Sequence, residues 1–106
     1  MSLTIKAKNL VLTAQNRTYI TEKFEAIEVF LKPEDKIRVE LEVDKKHNSG
    51  LTFRAEADIQ PKGNFAEARG NDLYEALDLL LPKIKEQLKK AKDKRVSLRR
   101  RGDKTR

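Results

Sequence analysis

The chain has 106 residues, 39% of them charged and 38% hydrophobic, which suits one domain with a single sheet-and-helix core and leaves little room for a second. It holds no cysteine, so disulfide frameworks and thiolate metal sites are excluded and the reducing cytoplasm is the expected location. No stretch approaches the roughly 18 apolar residues of a membrane span, and the N-terminal residues show no targeting pattern.

The net charge of +7 is unevenly spread: residues 83–106 hold twelve Lys/Arg against Glu86, Asp93 and Asp103, whereas residues 1–82 are slightly acidic. Such concentration suits a phosphate-rich partner, because a dense positive field releases condensed counterions, although a solvated basic tail has the same composition.

In chain order, Leu3, Ile5 and Ala7 alternate with Thr4 and Lys6, the period of a strand with one buried face. Thr13 is placed to cap a helix over about 14–31, in which Ile20, Phe24, Ile27 and Leu31 form one apolar stripe and Lys32-Pro33 ends it. Ile37, Val39, Leu41 and Val43, then Leu51, Phe53, Ala55, Ala57 and Ile59, alternate on either side of a polar turn at 47–50 and predict a hairpin. Pro61 to Asn64 is a second turn, and Phe65 to Arg69 a short fourth strand. From Asp72 the helical period returns with Leu73, Leu77, Leu80, Ile84, Leu88 and Ala91, a helix of about twenty residues that Pro82 bends with its ring toward solvent. Residues 96–106, with Arg99-Arg100-Arg101, read as a disordered basic arm after a domain of residues 1–95.

The expected fold class is α+β in the order β-α-β-β-β-α: a four-stranded sheet with both helices on one face. The first two strands, joined through a helix, are expected to be parallel neighbours.

No catalytic constellation emerges. His47, the sole histidine, lies in the predicted hairpin turn and reads as solvated, and no phosphate loop, metal-ligand spacing or nucleophile motif occurs. The chain is therefore expected to be no enzyme and to need no cofactor, metal or small-molecule substrate. The second helix carries the notable pattern: Lys83, Gln87, Lys90 and Lys94 form one row beside the apolar stripe, and Lys85, Lys89 and Lys92 a cationic flank on the other side. Lysines commonly border a buried stripe because their stems cover its edges. A row of like charges, however, costs a few tenths of a kcal/mol per pair, roughly, and an anionic partner relieves that cost. Arg17 and Lys23 flank the stripe of the first helix and would face that lysine row if the two helices pack side by side. Stacking aromatics are scarce, so recognition of RNA shape and backbone is favoured over base reading.

Gly70-Asn71-Asp72-Leu73-Tyr74-Glu75-Ala76-Leu77-Asp78, continued by Lys83-Ile84, Gln87-Leu88, Lys90, Lys92 and Lys94, resembles the signature of ribosome hibernation promoting factors, the YfiA family of ribosome-associated inhibitors. Leu12-Thr13, Arg17 and Lys23-Phe24 fit as well, so the resemblance spans about residues 2–95. It implies a fold similar to double-stranded-RNA-binding domains, and docking on the small ribosomal subunit in the decoding and tRNA-binding channel, which blocks translation in idle ribosomes. Carried over by motif position, Arg17, Lys23, Lys83, Lys90, Lys92 and Lys94 are the expected ribosomal-RNA contacts, with Gln87 as a polar contact. Lys89 joins them from the cationic flank. Glu86 and Pro82 depart from the family pattern, where a basic and an acidic residue are common, so docking of the second half of the helix is expected to be re-aimed. The chain is expected to be a short form, without the C-terminal domain with which long forms pair two ribosomes, and to be monomeric when free. The second reading is a general structured-RNA binder or RNA chaperone not dedicated to ribosomes.

Overall fold

The structure, a computed structural model, describes the backbone of residues 2–47 and 50–104, and their side chains outside 45–51 and 91–104. The order is β1 (Ser2–Lys8), α1 (Ala14–Glu25), a 3-10 turn (Glu28–Phe30), β2 (Lys36–His47), β3 (Gly50–Gln60), β4 (Asn64–Gly70) and α2 (Leu73–Lys104). The four strands form one sheet in the order β1-β2-β3-β4. As expected, β1 and β2 are parallel, with Leu3 opposite Ile37 and Ile5 opposite Val39. The β2–β3 and β3–β4 pairs are antiparallel hairpins.

Strict alternation sorts the sheet's side chains. Ile37, Val39, Leu41, Ala55, Ala57, Ile59, Ala66 and Ala68 point to one face and are buried there under Ile20, Phe24 and Ile27 from the first helical segment and Leu77, Leu80, Ile84 and Leu88 from α2. The alanines of β3 and β4 matter: small residues let α2 lie close against these two strands. Gly70 is required for the same reason, since a Cβ there would sit 2.7 Å from the Ala76 nitrogen at the start of α2.

Local sequence sets both helix starts. The Thr13 hydroxyl accepts from the Asn16 N–H (3.0 Å) while Asn16 Oδ1 accepts from the Thr13 N–H (3.1 Å), a reciprocal capping box. At α2 the Asp72 carboxylate accepts from the Glu75 N–H at 2.8 Å, and Glu75 reaches back to the Asn71 N–H at 3.0 Å.

Two boundaries differ from the periodicity. The first helix ends at Glu25, not near Leu31: Ala26 closes it and the chain tightens into the 3-10 turn, which keeps Ile27 buried and so continues the apolar spacing without continuing the α-helix. The second runs through the exposed Pro82 and on to Lys104, taking in most of the segment read as an arm. The His47 imidazole, residues 48–49, the side chains of Ala91, Lys92 and Lys94, and residues 105–106 lie outside the described residues.

The loop into β2 is held by one acid. Asp35 is 2% exposed, accepts from the Lys32 N–H at 2.7 Å and lies 3.7 Å from the Lys62 ammonium. Its carbonyl takes the Ser2 N–H, which starts β1 beside β2. A buried carboxylate is tolerable here because it is both hydrogen-bonded and paired.

Candidate nucleic-acid interface

The expected cations do not form one groove. The apolar stripe of α2 divides them: Lys83, Gln87 and Lys90 lie toward β4, whereas Tyr74, Asp78, Leu81 and Lys85 lie toward α1. Arg17 and Lys23 therefore do not face the Lys83 row, a correction to the expected juxtaposition. Across the helix–helix seam Lys23 meets Asp78 of the opposite flank.

On the β4 side, the Lys83 ammonium donates to the Glu67 carbonyl at 2.8 Å, and Gln87 Nε2 donates to the Phe65 carbonyl at 2.7 Å while its Oε1 accepts from Asn64 at 3.3 Å. Strand β4 is an edge of the sheet, and these bonds tie its backbone to α2, where it would otherwise invite pairing. Lys90 is well exposed and pairs with Glu86 one turn earlier at 3.0 Å, the favourable acid-before-base order on a helix.

On the α1 side a polar ladder joins the helices. Having used its oxygen at the cap, Asn16 donates its side-chain N–H to the Tyr74 hydroxyl at 2.9 Å. The Tyr74 and Tyr19 rings meet edge to face with centroids 4.7 Å apart. Tyr19 donates its hydroxyl to Asp78 at 2.5 Å, and Lys23 lies 3.8 Å from the same carboxylate and 5.3 Å from the Tyr19 ring centroid. The bond to Asp78, followed by burial and the Asp78 charge, pushes the Tyr19 phenol up to about 12.

Beyond the ladder the seam opens into a trough of about 460 Å³, bounded by Lys23, Ala26 and Ile27 on one side and Asp78, Leu81, Pro82 and Lys85 on the other. Pro82 has no N–H, so the Asp78 carbonyl loses the donor that the helix would normally supply.

Availability separates the cations. Arg17, Lys85 and Lys89 are exposed, and no carboxylate among the described residues pairs with them. Lys92 and Lys94 belong to α2 by backbone. Periodicity alone does not reveal the ladder, although Asn16, Tyr19 and Lys23 at i, i+3, i+7 and Tyr74 and Asp78 at i, i+4 already mark two polar flanks able to meet.

The far face of the sheet is built differently. Arg54, its side chain 17% exposed, lies 3.8 Å from Glu40, 3.6 Å from Glu42, 2.5 Å from Glu56 and 3.3 Å from Glu67. Burial opposes its charge, but the bond to Glu56 and the charges of Glu56, Glu42 and Glu67 prevail, and its pKa stands above that of ordinary arginine. Arg69 with Asp44 and Glu67, and Lys8 with Glu42, extend the network.

Fold and surface thus define a small α+β domain with exposed cations on its helical layer that are unpaired among the described residues, and a self-neutralised sheet face. The chain belongs to the Sigma 54 modulation protein / S30EA ribosomal protein family, whose pattern matches residues 3–96. It is 34% identical over 96 residues to a ribosome hibernation promoting factor of Klebsiella oxytoca, covering 89% of this chain and 96% of that protein. A ribosome hibernation promoting factor of Pseudomonas putida is 32% identical over 100 residues, covering 92% and 93%. In fold it resembles the N-terminal domain of Thermus thermophilus Protein Y (TM-score 0.70, 24% identity, 85% of this chain and 98% of that one). A ribosomal subunit interface protein from Coxiella burnetii is similar in the same way (TM-score 0.70, 21% identity, 88% and 99%). Among the described residues no helix is long and apolar enough to cross a membrane.

Proposed function

We propose that this chain is a ribosome hibernation factor that lays its helical face on RNA of the small ribosomal subunit, in the decoding and tRNA-binding channel, and silences idle ribosomes by excluding messenger and transfer RNA. The observation that carries this reading is near-full-length similarity to ribosome hibernation promoting factors, joined to exposed helical cations that pair with no carboxylate among the described residues. Phosphate contacts supply affinity and the rigid seam between the helices supplies register. Exclusion requires no bond-making step, and nothing in the mechanism calls for a cofactor.

The residues proposed to touch RNA are Arg17, Lys23, Lys89, Lys90, Lys92 and Lys94, with Lys85 added because it is exposed and pairs with no carboxylate among the described residues. Lys83 and Gln87 stay in the set as residues at the margin, already bonded to β4. The test is sedimentation of purified small subunits with the chain and with an Arg17→Glu, Lys85→Glu, Lys89→Glu variant. The unmodified chain should travel with the subunit and the variant should stay at the top of the gradient. If the unmodified chain remains at the top, the reading fails; equal binding to arbitrary structured RNA would favour the general RNA binder instead.

A further inference from the structure

We propose that the trough between α1 and α2 is a nucleotide subsite that takes one unstacked base of single-stranded RNA, guanine in preference to the others. This rests on the RNA-binding reading above and adds a base-reading element to a surface that otherwise reads only phosphates.

Three features argue for this occupant. The trough has an apolar surface, formed by Ala26, the partly buried Leu81 and the exposed Pro82, able to receive the face of a flat ring. Lys23 and Lys85 stand on its opposite walls. Between them the one carboxylate, Asp78, is shared with Tyr19 and Lys23 through Oδ1, so the Lys85 charge is left for a ligand anion. Finally, the α2 wall offers two acceptors: the second oxygen of Asp78, beside the Oδ1 that Tyr19 and Lys23 share, and the Asp78 carbonyl, which Pro82 deprives of its i+4 donor.

A ligand matching all three has an anionic end, a flat apolar body and an edge of N–H donors. An acidic peptide would bring carboxylates toward Asp78, and free phosphate has neither ring nor donor edge. A nucleotide has all of these parts, and guanine alone among the four bases presents two adjacent donor groups, N1–H and N2–H2, on its pairing edge. Unstacked bases are the usual target of sequence-dependent RNA recognition.

The test uses the whole chain, isotopically labelled, titrated with the single-stranded RNA tetramers UUGU and UUUU and followed by backbone amide shifts. UUGU should shift the amides of Ala26, Leu81 and Lys85 and bind about tenfold more tightly than UUUU, the cost of leaving an acceptor unpaired. Ala26→Phe, which fills the trough without changing charge, should abolish the shifts. Pro82→Ala returns a donor to the Asp78 carbonyl and favours the helix, so its fold should be kept, and it should erase the preference for UUGU. Shifts confined to the β4 flank of α2, or equal binding by the Ala26→Phe chain, overturn the subsite; if the unmodified chain still sediments with small subunits, the hibernation reading survives that result. Binding of UUGU in the trough by a chain that ignores small subunits would uphold the subsite and remove the ribosomal reading.

Discussion

The two faces of this molecule both carry many charges and use them in opposite ways. On the open sheet face, Arg54 sits among four glutamates and its neighbours are paired in turn. The charges there are consumed by the fold. On the helical face, Arg17, Lys85 and Lys89 pair with no acid among the described residues, and Lys23 shares one carboxylate with a tyrosine. Those charges are the ones proposed to meet a partner. Net charge alone does not distinguish these situations; which cations are already satisfied does.

The largest expected effect lies on the sheet face. Arg54→Leu leaves Glu40, Glu42, Glu56 and Glu67 facing one another and should cost about 2–3 kcal/mol, below the figure for a fully buried pair because the site is partly wet. Urea unfolding measures this, and affinity for small subunits, corrected for the folded fraction, should not change. An Arg54 variant that folds normally and binds poorly would reverse the assignment of the two faces.

Next come the ties between α2 and the edge strand. Lys83→Met and Gln87→Leu should each lower stability by about 1 kcal/mol, the net worth of a hydrogen bond, read from the same unfolding curves. If either instead weakens subunit binding at unchanged stability, that side chain belongs with the available cations.

Smaller still in stability, Lys85→Gln and Lys89→Gln should stay within about 0.5 kcal/mol of the parent. Each should make the log–log slope of subunit affinity against salt shallower by about 0.7–0.9, one phosphate contact apiece. The subtlest signal comes from the helix seam: one phenol should titrate near pH 12 in an ultraviolet titration, and Tyr19→Phe should remove it. Because the folded pKa is raised above the ordinary 10.0, the stabilisation is complete below pH 10 and is lost as pH rises toward 12.

Much of this fold is legible from alternation and spacing. The parallel β1–β2 pair, both hairpins and the shared apolar face of the helices follow from where Ile37, Ala57, Ile20 and Leu80 fall. The end of the first helix was hidden because a 3-10 turn carries Ile27 into the core just as another helical turn would. The Lys83 row was visible as a row, but its direction was not: whether it faced α1 or the edge of β4 depends on how α2 is rotated on the sheet, and the small side chains of Ala66 and Ala68 help to set that rotation. The Asn16–Tyr74 and Tyr19–Asp78 bonds join residues 58 and 59 positions apart, a distance local periodicity does not reach.

The most direct test is the affinity of the unmodified chain for isolated small ribosomal subunits, measured across a salt series. With about five phosphates neutralised by the helical cations, the log–log slope should lie near −3.5 to −4.5. An affinity indifferent to salt would mean that the unpaired charges of the helical face contact no RNA.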